Sequence, residues 1–284
     1  MDYSALKPVL DTIEQAMGTL GVDYYLIGAL ARDIWYQRSK INSRATRDVD
    51  FAVLVGSEQE YEAVKNHLIE NKNYVPLRGN AYVLISPEKY QIDLLPFGEI
   101  ASSGSILLEG QGMTKISVAG MQEVYERGTE KVEFQTGNTF KAATIAGIAL
   151  LKLIAYDDRP EARQKDAKDI GNILLHYFDM HTEMIYENHL DLFADHDQID
   201  SNQQWELTDI GAIVLGREMA LIAQDNRALH ERLVRILSGE IVADEKSQFI
   251  RLIAKDRGME VQQVVASLNQ VLWGLENTAL PSSK

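Results

Sequence analysis

The first half of the chain combines helical and strand-like patterns of apolar residues. Apolar residues spaced by three and four positions predict helices, over residues 3–18, 29–37 and 61–72. Short apolar runs predict strands, at 24–28, 48–55, 81–86 and 90–97, the last two joined by a hairpin turn at Pro87. Residues 114–134 are mixed, with strand-like ends. This pattern predicts a small α/β domain over residues 1–140.

The second half has a helical pattern almost throughout. Apolar positions recur at helical spacing, at 142–156, 161–177, 203–224, 227–238, 246–255 and 259–277. The acidic stretch 188–202 predicts a loop between them. We therefore expect an α+β fold, in which a small mixed-sheet domain (1–140) precedes an all-helical domain (141–284) that contributes to the active-site cleft.

Composition narrows the classes of protein that fit this fold. The 284 residues include no cysteine, which excludes disulfides, iron–sulfur clusters, thiolate zinc sites and cysteine nucleophiles. The first residues do not resemble a signal peptide, and the longest apolar run, 143–156, is too short to span a bilayer. We expect a cytoplasmic protein with no membrane partner.

The charge balance bears on nucleic-acid binding. A net charge of −14 argues against a broad electrostatic grip on a nucleic acid. It is compatible with a local basic site, and the best candidate is the group Arg38, Lys40, Arg44 and Arg47. A solvated loop explains this group equally well.

Two aspartates at the start of one predicted strand are the first candidates for chemistry. Asp48 and Asp50 precede the apolar run 51–55 and lie two residues apart, so their side chains leave the same face of the strand. Each raises the cost of ionising the other. Paired carboxylates are hard oxygen ligands suited to Mg²⁺, which brings its own waters and substrate phosphates. The alternative is a solvated pair on an ordinary strand.

Two further features favour a site for metal and phosphate. Gly28 ends one predicted strand and begins a helix, a turn in which backbone N–H groups can approach a phosphate, although packing alone also explains a glycine there. Asp93 lies between Ile92 and Leu94, where a charge is costly unless it is paired or bound to a metal. If its strand lies beside 48–55, Asp93 completes a set of three acids; otherwise it faces water.

Together these elements resemble the polymerase-β-type nucleotidyltransferase superfamily. The glycine-led turn is GALARD, the D-x-D strand is RATRDVDF, and the third acid lies in QIDL. The first element is similar to that of CCA-adding enzymes and poly(A) polymerases. Many members have Gly-Ser or Gly-Gly where this chain has Gly28-Ala29, so a serine hydroxyl contact to the terminal phosphate is missing.

The helical half extends the resemblance. Lys152 and Arg159 are seven residues apart on one predicted helix, and Asp166 and Asp169 are three apart on the next. This pattern resembles the AbiEii/MenT-like nucleotidyltransferases, which are toxins of type IV toxin–antitoxin and abortive-infection systems. From the residues alone, Lys152 could instead extend along a core helix to reach water, and the aspartates could form a solvated helix face.

The resemblance implies a role for each acid and for the glycine turn. Asp48, Asp50 and Asp93 would bind Mg²⁺ at the triphosphate, and Asp93 would help to deprotonate the acceptor hydroxyl. Gly28 and Ala29 would approach the β- and γ-phosphates through their backbone. Attack on the α-phosphate would release pyrophosphate.

The resemblance also implies roles for basic residues. Lys152 would neutralise phosphate charge, oriented by Asp166 and Asp169. Arg32 and Arg47 would contact phosphate or acceptor.

The implied activity is Mg²⁺-dependent transfer of NMP from an NTP to an RNA end, such as that of tRNA, or to a protein hydroxyl. A cognate antitoxin is a further expected partner. Two alternatives stay open: a nucleotidyltransferase that modifies a small molecule such as an antibiotic, and a non-catalytic binding subunit with the same fold.

The remaining histidines and tryptophans are interpreted structurally. His176, His181 and His189 do not share one helix face, so we expect surface or cap residues rather than a metal site. Trp205 and Trp273 are predicted to lie in the core.

Overall fold

The chain folds into two compact units, Met1–Thr144 and Ile145–Lys284. The structure is a computed structural model and describes residues 4–41, 48–101, 105–110, 112–134, 136–193 and 205–278. In these ranges, none of the helices combines the length and the apolar character needed to cross a membrane.

The first unit contains both helices and strands. Its helices are α1 (Lys7–Leu20), α2 (Gly28–Arg38), α3 (Glu58–Lys72) and α4 (Met121–Arg127). Its strands are β1 (Tyr24–Ile27), β2 (Asp48–Leu54), β3 (Val75–Pro76), β4 (Val83–Ile85), β5 (Gln91–Phe97), β6 (Ser105–Gly110), β7 (Gly112–Ser117), β8 (Thr129–Glu133) and β9 (Thr139–Ala143).

The main sheet is mixed and has the strand order β3-β4-β5-β2-β1-β9-β8. Its centre is β2, which pairs in parallel with β5 on one side and antiparallel with β1 on the other. Strands β6 and β7 form a separate antiparallel hairpin. The site described below lies where β1, β2 and β5 are neighbours.

Alternation of polar and apolar residues orients β2 in the sheet. Val49, Phe51 and Val53 are buried, whereas Asp48 and Asp50 alternate with them and are more exposed. Because successive side chains of a strand point to opposite faces, the apolar set enters the core and both acids leave the other face.

Helix α3 begins the connection from β2 to its parallel neighbour β5. The Ser57 hydroxyl caps its N-terminus by accepting a hydrogen bond from the Glu60 backbone N–H. Asn73 ends the helix in the left-handed conformation, with φ of +59°. Strands β3 and β4 then complete the connection, and β4 pairs antiparallel with β5.

The second unit is built from helices throughout its described residues. They are α5 (Ile145–Asp158), α6 (Gln164–Met180), α7 (Thr182–Asn188), α8 (Leu207–Ala223), α9 (Arg227–Ala243), α10 (Gln248–Arg257) and α11 (Val261–Glu276). Helices α8 and α11 approach each other through glycines. A Cβ atom on Gly216 would lie 2.1 Å from the Val271 carbonyl oxygen, and one on Gly274 would lie 2.0 Å from that of Ile213.

The observed architecture confirms the predicted class, a mixed-sheet unit followed by helices. The sequence interpretation missed strands β3, β6 and β9 and helix α7. These elements are short, between two and seven residues, and a short segment carries too few apolar positions for its period to be recognised. Most of the predicted acidic loop at 188–202 lies outside the described residues.

Candidate active site

Three aspartates lie on one face of the main sheet. Asp50 on β2 is the register partner of Asp93 on β5, and Asp48 is the partner of Gln91. Register partners in a parallel pair project to the same face, and neighbouring strands are about 4.8 Å apart. Asp50 and Asp93 are half-buried, and Asp48 is exposed at the start of its strand. The sheet therefore brings together the three acids that the sequence singles out.

The glycine turn lies directly against this acidic group. Gly28 follows β1, begins α2 and has φ of +69°, a conformation that side chains disfavour. Its neighbour Ile27 pairs with Asp50 across the strands. A Cβ atom on Gly28 would lie only 2.1 Å from Asp50 Oδ2. Both the backbone and the space thus require glycine at this position.

The turn also presents the N-terminus of a helix to the acids. The first backbone N–H groups of an α-helix have no intrahelical acceptor and can bind an anion such as phosphate. Ala29, in the first turn of α2, is half-buried. A carboxylate pressed against this turn would repel a bare phosphate, and a bound cation would offset that repulsion.

The acids fit Mg²⁺ in chemistry, although they do not form a closed cage. Across the described residues, no three His, Asp or Glu side chains are grouped so as to hold a metal ion. Mg²⁺ is usually held by one or two carboxylates together with waters and substrate phosphates. The register pair Asp50 and Asp93 offers two carboxylates for a site of that kind.

The two arginine candidates have different outcomes. Arg32 is buried, and its guanidinium donates hydrogen bonds to Asp33 Oδ1 from Nε at 3.2 Å and Nη2 at 3.0 Å. It also lies over the Tyr36 ring, at 5.4 Å from the centroid. These contacts connect Arg32 to two neighbours on its own helix. Arg47 lies outside the described residues, as does Arg44 of the basic group.

Lys152 on α5 bonds to both predicted aspartates of α6. Its ammonium lies 2.6 Å from Asp166 Oδ1 and 2.7 Å from Asp169 Oδ2. Arg163 adds a weaker contact to Asp166, at 3.7 Å. Burial lowers the pKa of Lys152, but the two carboxylates outweigh burial and raise its pKa above the usual value. The lysine therefore stays charged and is fixed in position.

Two structural interpretations from the sequence have different outcomes. His181 and His189 occupy the cap positions of α7, as predicted, and His189 is buried, with Nδ1 3.2 Å from Arg217 Nη1. Burial lowers the pKa of His181 to about 4. Trp273 is not a core residue, since 38% of it is exposed, and it contacts Trp205 at 5.6 Å between ring centroids.

The sequence interpretation overlooked one polar neighbour of the acids. The Gln91 side-chain amide donates a hydrogen bond to Asp93 Oδ1 at 2.9 Å. The signal was available, because Gln91 and Asp93 are two residues apart on one strand and must share a face.

Comparison with known proteins gives distant similarities. No family model matches the sequence, and no curated protein matches it. The antibiotic-resistance factor ANT(2'')-Ia has 13% identity and a TM-score of 0.38, over 66% of this chain and 88% of that chain. An antigenic nucleotidyltransferase-like protein from Paracoccidioides brasiliensis has 16% identity and a TM-score of 0.40, over 68% of this chain and 93% of that chain. With likeness this remote, the functional inference depends on the acids and the glycine turn.

Proposed function

We propose that this protein is a Mg²⁺-dependent nucleotidyltransferase, which moves NMP from an NTP to a hydroxyl group. One observation carries the proposal. Gly28, at the start of α2, is pressed against the Asp50 carboxylate, while Asp93 faces the same side from the neighbouring strand. A helix N-terminus beside carboxylates on a sheet face unites the two requirements of phosphoryl transfer, which are phosphate positioning and metal ligation.

Each acid has a defined task in the proposed reaction. Asp48 and Asp50 would hold Mg²⁺ beside the triphosphate, and Asp93 would help to hold the metal and would accept the proton of the acceptor hydroxyl. The hydroxyl oxygen forms a bond to the α-phosphorus as the bond to the β-phosphate oxygen breaks, and pyrophosphate leaves. Bound Mg²⁺ would supply charge neutralisation at the attacking and leaving oxygens.

The turn and the basic residues bind phosphate in this proposal. The Gly28 and Ala29 backbone contacts the β- and γ-phosphates, as the resemblance implies. A phosphate contact from Lys152 is what the resemblance implies; in the helical unit its ammonium is paired with Asp166 and Asp169. Arg32 would contact phosphate or acceptor, as the resemblance implies, and its guanidinium also bonds to Asp33 within α2.

We propose an AbiEii/MenT-like role with an RNA end, such as that of tRNA, or a protein hydroxyl as acceptor. The sequence motifs around Asp48 and Lys152 support this assignment. A cognate antitoxin is then the expected protein partner, and a small antitoxin-like reading frame next to the gene would support it.

The activity can be tested directly. Purified protein is incubated with Mg²⁺, each of the four NTPs labelled at the α-phosphate, total RNA and a protein extract. We expect label to appear on one acceptor class, and EDTA or Asp50→Asn to abolish it. Asp179→Asn, on the exposed face of α6, is the matched control and should leave transfer unchanged. Absence of labelling in every combination contradicts the proposed acceptors.

Two outcomes would favour the other functions. Transfer to an added antibiotic, with resistance rather than growth arrest on expression, would indicate a small-molecule nucleotidyltransferase. Protein that binds a partner but shows no metal-dependent NTP binding by calorimetry would indicate a non-catalytic subunit.

A further inference from the structure

Gln91 occupies the fourth corner of the patch formed by the three acids. In the parallel pairing of β2 and β5, Asp48 faces Gln91 and Asp50 faces Asp93, so all four side chains leave one face in two adjacent rows. Three corners are carboxylates and one is a neutral amide. Both Gln91 and Asp93 are half-buried, which limits the competition of bulk water for their contacts.

The Gln91 amide is hydrogen-bonded to the neighbouring acid on its own strand. Gln91 Nε2 donates to Asp93 Oδ1 at 2.9 Å, a normal length for such a bond. On the far side of β5 the neighbours are apolar, because Ile85 and Val83 of β4 are the register partners of Gln91 and Asp93. The polar end of Gln91 therefore has its partner along its own strand.

A hydrogen bond of this kind has two consequences for a carboxylate. It restricts rotation of the carboxyl group, which otherwise turns easily about its last torsion. It also uses only one of the roughly four acceptor sites that the two oxygens of a carboxylate provide. Donors that orient ligands in this way commonly tune metal affinity.

We propose that Gln91 is a positioning residue, which orients Asp93 for Mg²⁺ through its amide. This inference rests on the proposed nucleotidyltransferase function. A glutamate at position 91 would make the patch a set of four carboxylates and remove the donor. The neutral amide instead orients Asp93 without adding to the repulsion among the acids.

The test compares metal affinity with stability. Gln91→Met keeps the length of the side chain and removes the donor. Its control is Gln122→Met on α4, which removes a similar bond, from Gln122 Nε2 to Glu126 Oε1 at 2.6 Å. Mn²⁺ binding is followed by electron paramagnetic resonance, in the presence of the α,β-methylene NTP analogue that the wild-type protein binds most tightly. Thermal melts of the same samples report stability.

We expect Gln91→Met to raise the Mn²⁺ dissociation constant about tenfold, the lower end of the range for lost outer-shell donors. Its melting temperature should match that of Gln122→Met, whose Mn²⁺ constant stays at the wild-type value. In the transfer assay, raised Mg²⁺ should restore the rate of Gln91→Met, as expected for weakened metal binding. If Met perturbs the sheet, Gln91→Leu answers the same question.

The possible failures are distinguishable. Wild-type protein that binds no Mn²⁺ with any analogue overturns the proposed function and this inference together. Wild-type binding with an unchanged constant in Gln91→Met overturns the positioning role alone. The positioning role is also overturned if Gln91→Met lowers the melting temperature enough to explain its whole loss of Mn²⁺ affinity, since Gln91 would then act only by stabilising the fold.

Discussion

Replacement of Gly28 by alanine tests how the turn and the acids depend on each other. Alanine at φ of +69° costs about 1–2 kcal/mol of backbone energy. Its Cβ atom would also lie 2.1 Å from Asp50 Oδ2. To reach an ordinary contact, the carboxylate must move by about 1 Å, and a misplacement of that size can cost roughly a hundredfold in rate. We therefore expect Gly28→Ala to lose about 2 kcal/mol or more of stability and about 100-fold in transfer.

Gly21 provides the matched control for the backbone part of this effect. It ends α1 with φ of +66°, and a Cβ atom there would meet nothing within 4 Å. Gly21→Ala should lose about 1 kcal/mol of stability and keep the wild-type transfer rate. Urea unfolding at neutral pH and steady-state kinetics measure both quantities for both variants.

A double-mutant cycle isolates the steric clash between the new methyl group at position 28 and the Asp50 carboxylate. Asp50→Ala removes the two atoms nearest to the new methyl group, Oδ2 and Cγ, and leaves Cβ at 3.1 Å. In that background, Gly28→Ala should cost no more than Gly21→Ala, with a coupling energy of about 1 kcal/mol or more. Equal costs in the two backgrounds, or a Gly28→Ala variant with wild-type activity, would refute the reasoning.

Three further predictions concern the helical unit. Lys152→Met leaves two carboxylates without their shared ammonium and should lower the free energy of unfolding, measured in urea, by about 3 kcal/mol. Because the pKa of Lys152 in the folded protein is raised above 10.5, the difference from wild type should persist at neutral pH and disappear only in more alkaline solution. The half-buried His181 has a pKa lowered from 6.5 to about 4, so the wild type should lose stability as pH falls through that window. His181→Phe should flatten this loss in urea titrations. Gly216→Ala, whose Cβ meets the Val271 carbonyl, should destabilise the fold by about 1–3 kcal/mol and so lower the melting temperature. Gly239→Ala, with open space around it, should not, and equal melting temperatures of the two variants would contradict the close helix contact.

The central strands could be predicted because their signals are local. Alternation and composition indicate β2 and β5, and the two-residue spacing of Asp48 and Asp50 dictates a shared face. The pairing of Asp50 with Asp93 depends on which strands become neighbours, which is a property of the whole sheet. The sequence alone allowed the pairing only on the condition that the two strands are neighbours, and the strand order of the sheet meets that condition.

Other features depend on tertiary contacts that leave no local pattern. Strand β9 is held by parallel pairing of Ala142 with Leu26 and by the Trp35 indole, which donates to the Ala143 carbonyl at 2.7 Å. Its five residues alone carry too little periodicity to indicate a strand. Likewise, the burial of His189 follows from its contact with Arg217, 28 residues further along the chain.

The parallel pairing of β2 with β5 links ligand binding to folding. Parallel neighbours need a crossover, here α3, β3 and β4, so Asp50 and Asp93 meet only once that whole segment has docked. An unfolded chain cannot offer the same pair to a cation. If the proposed nucleotide and metal bind at this pair, they would stabilise the native sheet, and a nucleotide at a hundred times its dissociation constant would add about 2.7 kcal/mol to the unfolding free energy of the first unit. Ligand-dependent melting thus offers a way to screen the four NTPs before any acceptor is known.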